Sequence, residues 1–366
     1  MKKISKKFGF AMVATLISIL VLSACGNAKT GASKGDDIRL EVIAKGFQND
    51  YWKAVRTGAE KAAKEEGVKM NFVGPKDESA ISDQVEMLND AINKNPSAVA
   101  LAALDTNAEL DDIEQAMSKN IPIIGFDSGV PNAPKGAIKA TASTDNYKAG
   151  ALAADKTFTA IKKKITAAKK GKPVRIGVLS QEVNSLSITA RTSGFIDEMV
   201  KDIEKMDGVG KGKVQVTGHD KFANKVKPQN AIAIIEVRIP AEVTDSAGKT
   251  EAQALLNKKD LISIYGSNEF AAKSIINADS AIAGGRIGKN KVIAVGFDSG
   301  TLQIDAIKSG KFLGSITQNP IAIGYNTVKL AVKAAKGEKV KDVDTGSKWY
   351  DKANIDSKEI APLLYK

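Results

Sequence analysis

The chain is poor in the side chains that most metal-binding and nucleophilic sites need. Its 366 residues include one cysteine, Cys25, and one histidine, His219. A single cysteine excludes an internal disulfide and a cysteine-based metal cluster. A single histidine argues against a zinc cluster and against a Ser-His or Cys-His nucleophile. The sequence therefore predicts no metal site, no cofactor and no enzyme of these classes.

Aromatic residues are also scarce, at 5% of the chain, which makes the adjacent pair Tyr51 and Trp52 informative. The pair lies between residues 38–44, whose apolar pattern predicts a buried strand, and residues 53–66, whose Ala, Lys and Glu predict a helix. It could simply pack the helix onto the sheet. We favour a binding site, because ligands of open α/β sheets bind at the carboxyl ends of the strands.

Arginine occurs at only six positions, although the formal net charge is +12. The excess cations are mostly lysines spread over helical patterns, such as residues 162–164 and 169–170. Such lysines are typical of a solvated helix face. Together with the export signal described next, this pattern predicts that the protein binds no nucleic acid.

The N-terminus has the order of a secretory signal. Four lysines precede an uncharged apolar run at residues 8–21, and Leu-Ser-Ala leads directly to Cys25. This ending resembles the bacterial lipobox, which implies cleavage before Cys25 and a lipid on its sulfur. We therefore expect a signal peptide at residues 1–24 and a flexible tether at residues 25–37. The expected location is extracytoplasmic, anchored on the outer face of the cell membrane or in the periplasm of a two-membrane cell.

The rest of the chain alternates strand and helix patterns, which predicts parallel sheets covered by helices. The run 232–239 could be an extra strand or a displaced one. Strands are expected at residues 38–44, 69–74, 98–104, 121–126, 138–142, 174–179, 214–217, 261–265, 292–297 and 312–316. Helices are expected at residues 53–66, 79–94, 109–119, 147–170, 187–206 and 321–336. Asn49 or Asp50 could cap the first helix through its side chain, and Asp105-Thr106 the third.

One five-residue string, Gly-Phe-Asp-Ser-Gly, occurs at residues 125–129 and again at 296–300. Each copy follows an apolar strand. We interpret the repeat as one architecture used twice, which places the carboxylates of Asp127 and Asp298 in a site, one from each half of the chain.

These motifs, spread in order from Lys45 to Gln318, resemble those of the type I periplasmic sugar-binding proteins, the ribose-binding-like receptors of bacterial ABC importers. The resemblance implies an α/β fold of two similar doubly wound parallel-sheet lobes joined by a three-stranded hinge. It also implies an N-terminal lobe at residues 38–143 plus 319–346. The C-terminal lobe would then comprise residues 144–318 plus 347–366.

The resemblance also implies the ligand-binding residues. Two positions depart from the family pattern and are included as candidates: Lys45 stands where a small polar residue is usual, and Ser128 where ribose-type members have an arginine. The family's second-lobe aromatic has no match near residues 221–247, so a different pentose, a hexose or a cyclitol fits the sequence as well as ribose does. The ten candidates are Lys45, Asn49, Tyr51, Trp52, Asp127, Ser128, Arg191, Asn268, Asp298 and Gln318.

The chemistry of these side chains suits a sugar, because carboxylates, amides and an arginine fork can pair with adjacent hydroxyls. We therefore expect a monomeric, lipid-anchored receptor that closes over a monosaccharide, which could be a pentose, hexose or cyclitol, and delivers it to the membrane permease of an ABC importer. One alternative is a receptor for a nucleoside or a furanosyl signalling ligand. Another is an exported glycosidase that uses Asp127 and Asp298 as its acid and base.

Overall fold

The computed structural model describes residues 38–47, 49–168 and 171–366. The predicted signal peptide, Cys25 and the tether lie outside the described residues. No helix within the described ranges is both long and apolar enough to cross a membrane.

The strands are Arg39–Ile43 (β1), Lys69–Val73 (β2), Ala98–Leu101 (β3), Ile123–Phe126 (β4), Ile138–Ser143 (β5), Val174–Leu179 (β6), Val214–Thr217 (β7), Ala233–Arg238 (β8), Leu261–Gly266 (β9), Ile293–Phe297 (β10), Phe312–Thr317 (β11), Val343–Asp344 (β12) and Lys348–Asp351 (β13).

The helices follow the strands in alternation, as βα units require. They are Asp50–Glu66 (α1), Ile81–Asn93 (α2), Leu110–Ser118 (α3), Asn146–Thr166 (α4), Leu186–Glu204 (α5), Asp245–Leu256 (α6), Glu269–Ser280 (α7), Thr301–Lys308 (α8) and Pro320–Ala335 (α9).

The strands form two sheets. The six-stranded sheet has the order β12-β5-β4-β3-β1-β2, and the seven-stranded sheet has the order β13-β11-β10-β9-β6-β8-β7. All neighbouring strands pair in parallel except β13, which pairs antiparallel with β11. We call the first sheet with its helices lobe 1, and the second sheet with its helices lobe 2. The α/β fold of two parallel-sheet lobes is confirmed, whereas the residue limits given above for the lobes remain a prediction.

Each sheet is covered on both faces. In lobe 1, Ala98 and Ala100 of β3 pack toward α1 and α9, while Val99 and Leu101 of the same strand join a second core with α2 and α3. All four residues of β3 are buried, which explains why this strand reads as a continuous apolar run rather than an alternating one. Lobe 2 likewise has one core toward α4 and α5 and another toward α6, α7 and α8.

The ambiguous run at residues 232–239 contains β8, which pairs in parallel between β6 and β7. It is therefore a full member of the lobe 2 sheet. The first proposed side-chain cap is wrong, because Asn49 donates its amide to Glu78 at 2.9 Å instead. Asp105 Oδ1 accepts from the N–H groups of residues 107 and 108 at 2.7 and 3.1 Å, so it holds the turn that leads into α3 rather than the first turn of the helix itself. The predicted fourth helix ends at Thr166, and residues 169 and 170 lie outside the described part.

Two pairs of helices approach unusually closely through glycines. In lobe 1 a Cβ added at Gly58 of α1 would lie 2.0 Å from the Ile321 carbonyl oxygen of α9. In lobe 2 a Cβ added at Gly150 of α4 would lie 2.1 Å from the carbonyl oxygen of Arg191 in α5. The second contact fixes the backbone of a predicted site residue.

Candidate ligand-binding site

The carboxyl ends of five strands point into the space between the lobes. Lys45, Asp127, Asn268, Asp298 and Gln318 each lie one or two residues after a strand, namely β1, β4, β9, β10 and β11. The first turn of α1 adds Tyr51 and Trp52, and α5 adds Arg191. The cavity is lined by Lys45, Asn49, Tyr51, Trp52, Glu78, Asp127, Ser187, Ile188, Arg191, Asn268, Glu269, Asp298 and Gln318.

The structure thus brings nine of the ten candidate side chains together at one cavity, with Ser128 as the exception. The hydroxyl of Ser128 accepts a hydrogen bond from the backbone N–H of Ser187 at 3.2 Å. It therefore holds the beginning of α5 against lobe 1. Whether the nine side chains bind a ligand stays a prediction.

The repeated Gly-Phe-Asp-Ser-Gly string has the same backbone form in both lobes. Asp127 has a φ of 55° and Asp298 a φ of 69°, a left-handed conformation that aspartate tolerates better than most residues. The N–H of Asp127 donates to the Ala142 carbonyl at 3.0 Å, and that of Asp298 to the Ile316 carbonyl at 2.6 Å. The string is therefore one turn, used twice, that projects a carboxylate from the end of a strand.

In lobe 1 the carboxylate of Asp127 is held by Tyr51 and Lys45. The Tyr51 hydroxyl donates to Oδ1 at 2.5 Å, and Lys45 Nζ lies 3.7 Å from Oδ2. Lys45 Nζ also donates to the hydroxyl of Ser187 in α5 at 2.9 Å, so this lysine reaches across to lobe 2. Burial, and then the nearby Asp127, raise the pKa of Tyr51, which keeps its hydroxyl protonated as a donor.

In lobe 2 the carboxylate of Asp298 is held by Arg191 and Gln318. Arg191 Nη1 lies 3.2 Å from Oδ2, and the Gln318 amide donates to Oδ1 at 2.6 Å. The guanidinium also donates to the Asn146 side chain at 2.7 Å and lies 4.0 Å above the Phe297 ring. Burial raises the pKa of Asp298 against the effect of Arg191. The arginine is thereby fixed in one orientation.

Sequence reasoning missed Glu78 and Gln181, which connect the two lobes. The Glu78 carboxylate accepts from Asn49 at 2.9 Å, from the Trp52 indole at 3.0 Å and from the Gln181 amide at 3.1 Å. Gln181 in turn accepts from Asn268 at 2.6 Å. Gln181 follows β6 by two residues, so the strand-end rule that located Asn268 could also have located it.

The indole of Trp52 lines the cavity but is only 2% exposed. Its ring makes edge contacts with Tyr51 at 5.1 Å and with Phe126 at 6.2 Å. The pair of aromatics therefore does both things considered above: it packs α1 onto the sheet and it forms a wall of the cavity.

The cavity has a volume of about 20 Å³, which is room for about one water molecule. The polar side chains fill the space by pairing with one another. A sugar ring therefore enters only when the lobes separate and these pairs are exchanged for pairs with the ligand. This arrangement of two parallel-sheet lobes around a polar cleft defines a ligand-binding protein.

Comparison with known proteins identifies the family. Residues 40–339 match the periplasmic binding protein domain. A ribose import binding protein of Haemophilus influenzae is 26% identical over 336 residues, covering 92% of this chain and 95% of the relative. The chain belongs to the periplasmic binding protein family, whose membership implies a location outside the cytoplasm.

Two solved structures extend the likeness. A protein described as an ABC transporter, LacI family transcriptional regulator from Brachyspira murdochii is 40% identical, with a TM-score of 0.74, covering 90% of this chain and 99% of that one. An ABC transporter solute binding protein from Agrobacterium vitis with bound D-fucose is 27% identical, with a TM-score of 0.72, covering 89% of this chain and 100% of that one.

Proposed function

We propose that this protein is the extracytoplasmic sugar receptor of an ABC importer. It binds a monosaccharide or a related cyclic polyol between its lobes and delivers the ligand to the membrane permease. The observation that carries the proposal is the pair of carboxylates, Asp127 and Asp298, presented by the same turn at corresponding strand ends of the two lobes. The D-fucose bound to the Agrobacterium vitis relative supports a sugar ligand.

The chemistry of the cleft suits hydroxyl groups. Each sugar hydroxyl both donates and accepts a hydrogen bond, and carboxylate and amide side chains can pair with adjacent hydroxyls. Ligand contacts to both lobes favour the closed arrangement, so the ligand drives a hinge motion. We further propose that Cys25 carries a lipid anchor, that the nine candidates that line the cavity bind the ligand, and that the receptor acts as a monomer.

The structure favours this function over the two alternatives. Among the described residues that line the cavity, the only aromatics are Tyr51 and Trp52, and they contact each other edge to face. A nucleoside base therefore has no second ring on which to stack. Against a glycosidase, the chain belongs to a family of binding proteins, and its relatives are named as import binding proteins. We therefore propose a binding protein rather than an enzyme.

The test is ligand-dependent thermal unfolding of the full chain with a panel of pentoses, hexoses, cyclitols and nucleosides. A sugar that binds with a micromolar dissociation constant and is supplied at millimolar concentration stabilises the folded state by about 4 kcal/mol. This raises the midpoint temperature of unfolding by several degrees. Asp127→Asn and Asp298→Asn should lose the shift, because each removes a hydrogen-bond acceptor from the cleft. The exposed Asp305→Asn is the matched control and should keep it. Stabilisation by a nucleoside alone, or turnover of a glycoside, contradicts the proposal.

A further inference from the structure

The carboxyl groups that line the cavity outnumber the cations there. Four carboxylates, those of Glu78, Asp127, Glu269 and Asp298, face two cations, Lys45 and Arg191. A neutral sugar supplies no charge to offset the difference. Two carboxylates therefore have no cationic partner among the described residues that line the cavity.

The two cations are committed to the two aspartates. Lys45 lies beside Asp127 and Arg191 beside Asp298, at 3.7 and 3.2 Å. Arg191 is further tied to Asn146. Neither cation is available to the glutamates without breaking a buried ion pair, which costs several kcal/mol.

The two glutamates differ from the aspartates in their partners. Within the described ranges, Glu78 accepts hydrogen bonds only from neutral donors, the side chains of Asn49, Trp52 and Gln181. The Oε2 atom of Glu269 is buried and has no hydrogen-bond partner in the described part of the chain. A buried carboxylate oxygen without a donor is unfavourable, so this atom marks a position where a ligand group can donate.

Glu269 also lies on the path into the cleft. It borders both the inner cavity and a wider cavity of about 200 Å³ at the cleft mouth, where the carboxylate of Asp50 is paired with Lys53 at 2.6 Å. Lys273 lies at the same mouth, but its ammonium is paired with Asp245 at 2.9 Å. Among the described residues that line this mouth, Glu269 is therefore the carboxyl group without an ion-pair partner.

We infer that the ligand carries an ammonium group, as an amino sugar does, and that Glu269 is the residue that recognises it. The inference rests on the function proposed above and narrows its substrate class. The ring hydroxyls pair with Asp127, Asp298 and the amides, while the ammonium donates to Oε2 of Glu269. Glu78 contributes by its charge rather than by a direct contact.

The acidity of Glu269 gives a second signature. Burial raises its pKa to about 8, repulsion from Asp298, Asp50 and Glu78 adds to the effect, and the Tyr365 hydroxyl opposes it. Without a cation the carboxyl group holds a proton near pH 7. A bound ammonium lowers this pKa, so binding releases a proton.

The experiment is isothermal titration calorimetry of the full chain with matched pairs of sugars. The pairs are D-glucosamine with D-glucose, D-galactosamine with D-galactose, and D-mannosamine with D-mannose, at pH 6.5, with neutral pentoses alongside. For the pair that fits, the amino sugar should bind about tenfold more tightly, because a charge-assisted hydrogen bond replaces a neutral one. Its binding heat should also differ between phosphate and imidazole buffers because of the released proton.

Glu269→Gln removes the charge and keeps the shape. It should bring the affinity ratio of the amino sugar to its neutral partner close to one and abolish the buffer dependence, while binding of the neutral sugar remains. Glu86→Gln, the same change on the exposed side of α2, should leave both readouts as they are. Because the ratio is measured within one variant, a general loss of folding does not mimic the result.

The outcomes separate the inference from the proposed function. A neutral sugar that binds at least as tightly as every amino sugar overturns the inference and leaves the sugar receptor in place. A tenfold preference that survives in Glu269→Gln also overturns it. If neither neutral nor amino sugars bind the unmodified chain, the proposed function fails and the inference fails with it.

Discussion

Glu109 is a buried carboxylate that no cleft chemistry requires. It lies just before α3, it is fully buried, and neither of its carboxyl oxygens has a hydrogen-bond partner among the described residues. Burial raises its pKa from 4.5 to about 7, and repulsion from Asp105 adds to the shift. Between these two pH values the folded chain keeps a proton that the unfolded chain has lost, so this residue lowers the free energy of unfolding as the pH rises.

We therefore expect Glu109→Gln to stabilise the protein at pH 8 and to have little effect at pH 4. The full difference corresponds to a pKa shift of roughly 2 to 3 units, on the order of 3 kcal/mol. Thermal unfolding of both proteins from pH 4 to pH 8 measures it. Glu114→Gln, an exposed change on the same helix, is the control. A gap between Glu109→Gln and the unmodified chain that does not widen with pH contradicts the expectation.

The cleft residues that could be predicted from the sequence are mainly those that directly follow a strand. Asp127 and Asp298 were found because the same turn occurs twice in the chain, and Asn268 because a polar residue follows an apolar strand. Glu78 follows β2 by five residues in an irregular loop, and its three donors come from distant segments. No local pattern records that convergence, so the interlobe hydrogen bonds had to come from the folded structure.

At the scale of elements, helix packing determines where Arg191 lies. The close contact of α4 with α5 leaves no space for a Cβ at Gly150, whose nearest neighbour is the Arg191 carbonyl oxygen. We expect Gly150→Ala to destabilise the protein by about 1–3 kcal/mol, because the helices must move apart. It should also weaken sugar binding, since the arginine beside Asp298 moves with its backbone.

Gly58→Ala is the matched comparison, because it creates the same clash between α1 and α9, where no predicted ligand residue supplies the contacted carbonyl. Denaturant unfolding and calorimetry of both variants separate the two effects. We expect both variants to lose the same amount of stability and only Gly150→Ala to lose affinity for the sugar. Affinity that is unchanged in Gly150→Ala shows that the glycine serves packing alone.

The strands were more predictable than the helices. Buried parallel strands are continuous apolar runs, and β3 and β10 stand out for this reason. Helices α6, α7 and α8 were not predicted. Helix α6 nevertheless has a side-chain cap, because the hydroxyl of Thr244 accepts a hydrogen bond from the Ala247 N–H at 3.3 Å. Strand β13 was missed because its place is set by pairing with β11, which is a tertiary contact rather than a local preference.

At the scale of the whole molecule, the hydrogen bond from Gln181 to Glu78 joins the two lobes, so it forms when the lobes close and is lost when they open. We expect Gln181→Ala to shift the ligand-free protein toward the open arrangement, which increases the radius of gyration measured by small-angle X-ray scattering. Saturating sugar should restore the compact value, because the ligand supplies new contacts to both lobes.

Gln229→Ala, an exposed change in lobe 2, should scatter like the unmodified chain in both conditions. If Gln181→Ala is as compact as the unmodified chain without sugar, the interlobe hydrogen bond does not govern closure. In that case other interlobe hydrogen bonds, such as those of Ser187 with Lys45 and Ser128, determine the arrangement.

The route of the chain between the lobes also affects how the protein is made. Lobe 1 begins with β1 but is completed only by α9 and β12, near the end of the chain, so Val55 and Ala59 of α1 find their partners Ile323 and Val328 last. Contacts of such long sequence separation slow folding and leave apolar surface uncovered meanwhile. A chain that is still being synthesised therefore cannot finish its first lobe. For a protein that works outside the cytoplasm, a first lobe that is completed late leaves time for the chain to be threaded through an export channel before that lobe folds.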